Sequence, residues 1–237
     1  LLASFIGKFP HVNLSLLNGN SREIEAALQE HRIDLGLVEG ICRLPNLRYT
    51  TFLQDELVAV VHTGSKLSLP DEITPEDLSR IPLVLRERGS GTLDVFERAL
   101  SEHNMKLSSL NVLLYLGSTE SIKLFLEHTD CIGIVSIRSI SHELLSGTFR
   151  VIEIKGMPML REFCFAQPQG QESGLSQVLM QRGFSAAELR FRRCIVHLLS
   201  SPGGADERDR FPAVAGKPSG RLGLRPAGAG GRIPADH

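Results

Sequence analysis

Three times in this chain an apolar run breaks at a glycine flanked by amide or hydroxyl side chains and continues as an amphipathic stretch. Val12–Leu17 leads into Gly19-Asn20-Ser21, Leu83-Val84-Leu85 into Gly89-Ser90-Gly91-Thr92, and Val112–Leu116 into Gly117-Ser118-Thr119. The apolar runs read as short strands. The stretches behind the first two corners place Ile24, Ala27 and Leu28, then Leu93, Phe96, Ala99 and Leu100, at helical spacing. A strand that turns straight into a helix admits few architectures, because the helix must fold back over the sheet it has just left. Asn, Ser and Thr are good helix caps, and a capped helix start still presents N–H groups with partial positive charge. Asn20 with Glu23 three residues on has the pattern of a capping box. Such corners suit an anion or a polar small molecule.

The segments between the corners fit the same scheme. Leu1 to Phe9 carries Leu1, Leu2, Phe5, Ile6 and Phe9 on one helical face, and Pro10 stops it. Ile33–Gly40 is nearly continuous in apolar residues, which predicts a central parallel strand and, with Val12–Leu17 and the helix between, a βαβ unit. Tyr49–Leu53 and Glu56–Val61 read as two strands, and Thr74-Pro75-Glu76-Asp77 as a helix start. Cys131–Ser136 reads as a buried strand, Ile137–Leu145 as a helix ended by Gly147, and Phe149–Ile154 and Leu160–Ala166 as further strands. A last helix begins over Gly174–Gln181. The alternation predicts an α/β fold with mostly parallel sheets and ligands beyond the carboxyl ends of the strands.

Several functions are excluded. With 22% charged residues and a net charge of −1, the balance of the 237-residue chain argues against strong nucleic-acid binding by itself, which needs a basic face. No apolar run approaches a membrane span, so no membrane partner is expected, and the first ten residues lack the basic start and cleavage site of a signal peptide. Cys42, Cys131, Cys164 and Cys194 form neither a disulfide framework nor metal-ligand spacing, as expected of reduced thiols in a cytoplasmic protein. The eight histidines are scattered. None of the corners is a phosphate-binding P-loop or a nucleophile elbow, and no convergent acid/base set is found. No catalytic residue, metal or cofactor is therefore expected. Glu39 and Arg86 or Arg88 either tune the charge of a ligand near the corners or stand as solvated charges at strand ends, the second reading being favoured. From about 182 the chain is dominated by Arg, Gly, Ala and Pro, a composition that predicts disorder beyond about Ser200.

The ordered set of motifs resembles the effector-binding domain of LysR-type transcriptional regulators. The resemblance is carried by Leu1–Phe5 with Phe9-Pro10-His11-Val12, Gly19-Asn20-Ser21, Ile33–Gly40, Leu57–Val61, Arg88–Thr92, Gly117-Ser118 and Gly133–Ser136, over residues 1 to 181. It implies two Rossmann-like lobes of the type II periplasmic-binding-protein kind, joined by two crossover strands. Lobe one would be 1–61 plus 149–181, lobe two 62–148, and 182–237 an atypical, largely disordered tail unlike the family's final helix. A small, anionic effector would bind between the lobes, touching Asn20 and Ser21 from lobe one and Ser90, Gly91, Thr92, Ser118 and Thr119 from lobe two. The family's amino-terminal winged helix-turn-helix is absent from this sequence, so DNA would be reached only through it. The family's first strand, expected before Leu1, is absent too. The resemblance further implies a homodimer, with the Leu1–Phe9 helix against lobe two of the other copy. A type II solute-binding protein shares these lobes and is the alternative reading.

Overall fold

The computed structural model describes residues 2–40, 43–170, 174 and 176–181. These all belong to one compact unit, Leu1–Arg193. Cys42, Cys194 and the tail from 182 lie outside the described residues.

Helices α1 (Leu2–Lys8) and α2 (Ser21–Gln29) precede strands β1 (Gly36–Glu39) and β2 (Leu47–His62). A short β3 (Glu72–Ile73) and a single 3-10 turn, Pro75–Ser79, lead to β4 (Leu83–Arg86) and α3 (Gly91–Glu102). β5 (Val112–Leu116), α4 (Thr119–His128), β6 (Ile132–Ser136), α5 (Ser141–Leu145), β7 (Phe149–Ile154) and β8 (Met159–Pro168) follow. Residues 174 and 176–181 are helical.

The main sheet has the order β1-β8-β2-β6-β4-β5, with β7 also on β2 and β3 on β7. β4 lies parallel to β5 and β6, whereas β2 runs antiparallel to β6, β7 and β8. The sheet is therefore mixed, which corrects the expectation of mostly parallel strands. The expectation for Ile33–Gly40 is corrected as well. β1 is a sheet-end strand, antiparallel to β8 with Gly36 opposite Ala166. Val12–Leu17 forms no strand, and Leu14, Leu16 and Leu17 are exposed. A period-two pattern makes a strand only when a neighbour takes up its backbone groups, and these residues have no ladder here.

The two segments expected at 49–53 and 56–61 are one sixteen-residue strand, β2, with a register shift between Thr51 and Leu53. Its first part pairs with β8 and its last residues with β6 and β7, so a single strand serves both halves of the molecule. Three apolar clusters follow from this. Phe96, Leu93 and Leu100 of α3 pack with Leu83, Leu85 and Ile134 on one face of the β4–β6 region. Ile122 and Leu126 of α4 pack with Val84, Val135 and Phe149 on the other. α2 puts Ile24 and Leu28 against Val38, Cys164 and Ala166. The helix spacing read from the sequence is the spacing that fills these clusters.

Candidate functional site

All three glycine corners open helices by side-chain capping. Asn20 Oδ1 accepts from Glu23 N at 3.0 Å while Asn20 N donates to Glu23 Oε2 at 2.9 Å, the reciprocal capping box the sequence predicted. Ser90 Oγ accepts from Leu93 N at 3.2 Å, and Ser118 Oγ from Ser121 N at 3.1 Å. The cap of α3 is thus Ser90, and Thr92 sits inside its first turn with its hydroxyl committed elsewhere.

The first two corners meet across the molecule. Arg22 N donates to Gly89 O at 3.2 Å, and the Asn20 side chain hydrogen-bonds Glu87. Gly91 packs so tightly on β1 that a Cβ there would stand 2.0 Å from Glu39 O, a distance no side chain tolerates. Ser21 Oγ bridges both backbone groups of Glu39, donating to its carbonyl at 2.7 Å and accepting from its N–H at 3.2 Å. Burial opposes ionisation of Glu87, but hydrogen bonds from Arg86 and Asn20 outweigh it and hold its carboxyl below the ordinary glutamate value. The third corner shares the sheet edge through the parallel β4–β5 pair, where Glu87 N donates to Leu116 O at 3.1 Å. Ser118 and Thr119 follow directly after that contact, with Ser118 Oγ also 2.8 Å from Ser121 Oγ.

Behind the meeting point lies a chain of charges that sequence reasoning missed. Arg161, with only 3% of its side chain exposed, bonds through Nη1 to Glu39 Oε2 at 2.8 Å and through Nε to Asp55 Oδ2 at 2.8 Å. The same Nη1 donates to Thr92 Oγ1 at 2.9 Å, and Thr92 Oγ1 donates to Glu39 Oε1 at 3.1 Å. Asp55 also accepts from Ser136 Oγ at 2.9 Å and has Arg138 Nε at 3.5 Å. The Arg161 guanidinium lies over the Phe163 ring, 4.9 Å from its centroid. Two carboxylates and two guanidiniums balance, as charges withdrawn from water must. Glu39 is therefore no solvated strand-end charge, and neither is Arg86, which bonds Glu87 at 2.8 and 3.1 Å. Arg88 is exposed, as expected. The missed residues are far apart in sequence, and only the β2–β8 register, which sets Asp55 opposite Arg161, brings them together. Their one signal is a charge inside an otherwise β-forming run.

The arrangement is one of helix starts, hydroxyls and a buried arginine gathered where two halves of a mixed sheet meet. That is the architecture of two-lobed, type II periplasmic-binding-like ligand domains. The family model for the LysR substrate binding domain matches residues 1–182, and the chain belongs to this family. It is 31% identical over 154 residues to the HTH-type transcriptional regulator YeiE of Escherichia coli strain K12, an alignment covering 65% of this chain and 51% of YeiE. The chain thus spans about half the length of the curated relatives it matches first. Among solved structures, it is similar to the Synechocystis CcmR regulatory domain in complex with 2-PG, with a TM-score of 0.68, 25% identity, and 78% and 88% of the two chains covered. The effector-binding domain of QuiR in complex with shikimate has the same fold, with a TM-score of 0.65 at 17% identity over 79% of this chain and 88% of that one. No described helix is long and apolar enough to cross a membrane.

Proposed function

We propose that this domain senses a small anionic effector at the junction of its corners and passes the binding event to a DNA-reading domain of a transcriptional regulator. The observation that carries the reading is the convergence of Asn20-Ser21 with Gly89–Thr92 around a buried arginine. Backbone N–H groups, hydroxyls and a guanidinium are anion-binding chemistry. 2-PG and shikimate in the related structures are small and oxygen-rich, which supports the same class of ligand here. Family membership and the regulators among its relatives favour this over a solute-binding role.

In this reading lobe one is 1–61 plus 149–181 and lobe two is 62–148. Asn20, Ser21, Ser90, Gly91, Thr92, Ser118 and Thr119 line the effector's side of the junction. The effector acts by preferring one arrangement of the lobes, and that preference sets the size of the response. The domain works as a homodimer in the cytoplasm without metal, cofactor or catalysis, and meets DNA only through its partner domain. Leu114 on β5 and Leu124 on α4 are 42% and 62% exposed, an apolar surface suited to the second copy's α1, where Ile6 is 50% exposed.

Titrating sulfate, phosphate and small carboxylates while following the melting temperature tests the proposal. A bound anion stabilises by mass action, about 2.7 kcal/mol at a hundred times Kd. Thr92→Ala and Ser118→Ala should each blunt the rise. Equal responses from both variants and the wild type would refute the assignment.

A further inference from the structure

Arg161 serves two carboxylates at once, and they are held very differently. Asp55 is wholly buried, and it is bonded by Ser136 and faced by Arg138 as well as by Arg161. It is the fully buried partner of Arg161 and shares its charge with Arg138. Glu39 is 20% exposed in its side chain, and its carboxylate rests on Arg161 and Thr92. Those two groups are the cation and the hydroxyl that an anion arriving at the junction would use. The position is thus already filled by a carboxylate of the chain itself, and that carboxylate has a path to water.

We propose that Glu39 is an internal competitor for the effector. The proposal rests on the reading of the junction as the effector site. Its carboxylate holds the anion position on Arg161 Nη1 and Thr92 Oγ1, and an anionic effector binds by displacing it. Asp55 stays in place and keeps Arg161 ionised and aimed. Two consequences follow from the geometry. Anions that bind Arg161 and Thr92 no better than a carboxylate lose the competition, so Glu39 sets a threshold that selects for ligands of higher charge. Displacement also breaks the Thr92–Glu39 bond, which ties the start of α3 to the end of β1, so occupancy and the contact between the two halves change together.

The test is direct binding of inorganic sulfate and phosphate, by calorimetry on the full chain, for wild type, Glu39→Gln and Glu39→Gln combined with Arg161→Gln. Glutamine keeps the hydrogen bond from Thr92 and removes the charge, and circular dichroism verifies that each variant is folded. The account expects Glu39→Gln to bind these anions about tenfold or more tightly than wild type, since the competent fraction rises, and the added Arg161→Gln to erase the gain. Should Arg161→Gln unfold the chain, Thr92→Ala in the Glu39→Gln background takes its place with the same expected loss. If wild type and Glu39→Gln bind equally and both depend on Thr92, the competitor role is overturned while the effector site stands. If neither binds either anion, the small-anion reading of the junction falls, and the competitor role falls with it.

Discussion

Gly91 decides how closely α3 approaches β1. Its missing side chain lets the helix start rest on the Glu39 carbonyl, and Gly91→Ala would put a Cβ 2.0 Å from that oxygen. Relief requires the backbone to move, so the substitution should destabilise by about 1–3 kcal/mol in urea unfolding. A loss within experimental error would mean that the contact is loose. Ser90→Ala removes the α3 cap and should cost about 1 kcal/mol in the same assay. Tyr49 offers a test by pH. Its hydroxyl donates to Glu25 Oε1 at 2.7 Å and accepts from Leu44 N at 3.1 Å. Burial pushes the phenol up to about 12, and the bond to Glu25 adds to the rise. The folded value lies above the unfolded one of about 10, so the stabilisation is complete below that pH and is lost as pH climbs toward 12. The chain has two tyrosines, so Tyr115→Phe leaves Tyr49 alone for an ultraviolet titration, which should show no ionisation near pH 10.

Among the elements, α3 is the best determined by its own sequence. Cap, glycine and apolar spacing all point to a helix from Gly91, and Phe96 and Leu100 end fully buried. Phe96→Ala should therefore cost about 3–5 kcal/mol, as a large core cavity does. The same local signals placed α2, with its capping box, and α4 behind Ser118. Strand pairing was less legible. Ile33–Gly40 is as apolar as a central strand, yet β1 ends the sheet and runs antiparallel to β8. Apolar content reports burial, while direction depends on a partner more than a hundred residues away. Val12–Leu17 has a strand's alternation and takes no ladder. The site divides in the same way. Its hydroxyl corners are local motifs, and their role as helix caps was readable. Arg161 and Asp55 were not, because each is a charge within a strand, beside a glutamate, whose meaning comes from the β2–β8 register.

For the molecule as a whole, β2 carries the argument. It pairs with β8 at one end and with β6 and β7 at the other, so one strand belongs to both halves. The Arg161 network sits beside that strand and joins β1, β2, β6, β8 and α3 through one guanidinium and its partners. The homodimer proposed from the exposed apolar surface of β5 and α4 predicts that Leu124→Glu reduces the sedimenting species to the 26.0 kDa monomer without lowering the melting temperature. An unchanged dimer would place the interface elsewhere. The central claim, that an anion binds where the corners meet, is tested most directly by mapping amide chemical-shift changes during a phosphate or sulfate titration. The account predicts the largest saturable changes at 20–21, 39, 90–92 and 118–119. Changes centred instead on the groove lined by Val95, Arg98, Glu102 and Met159, with those amides unmoved, would contradict it.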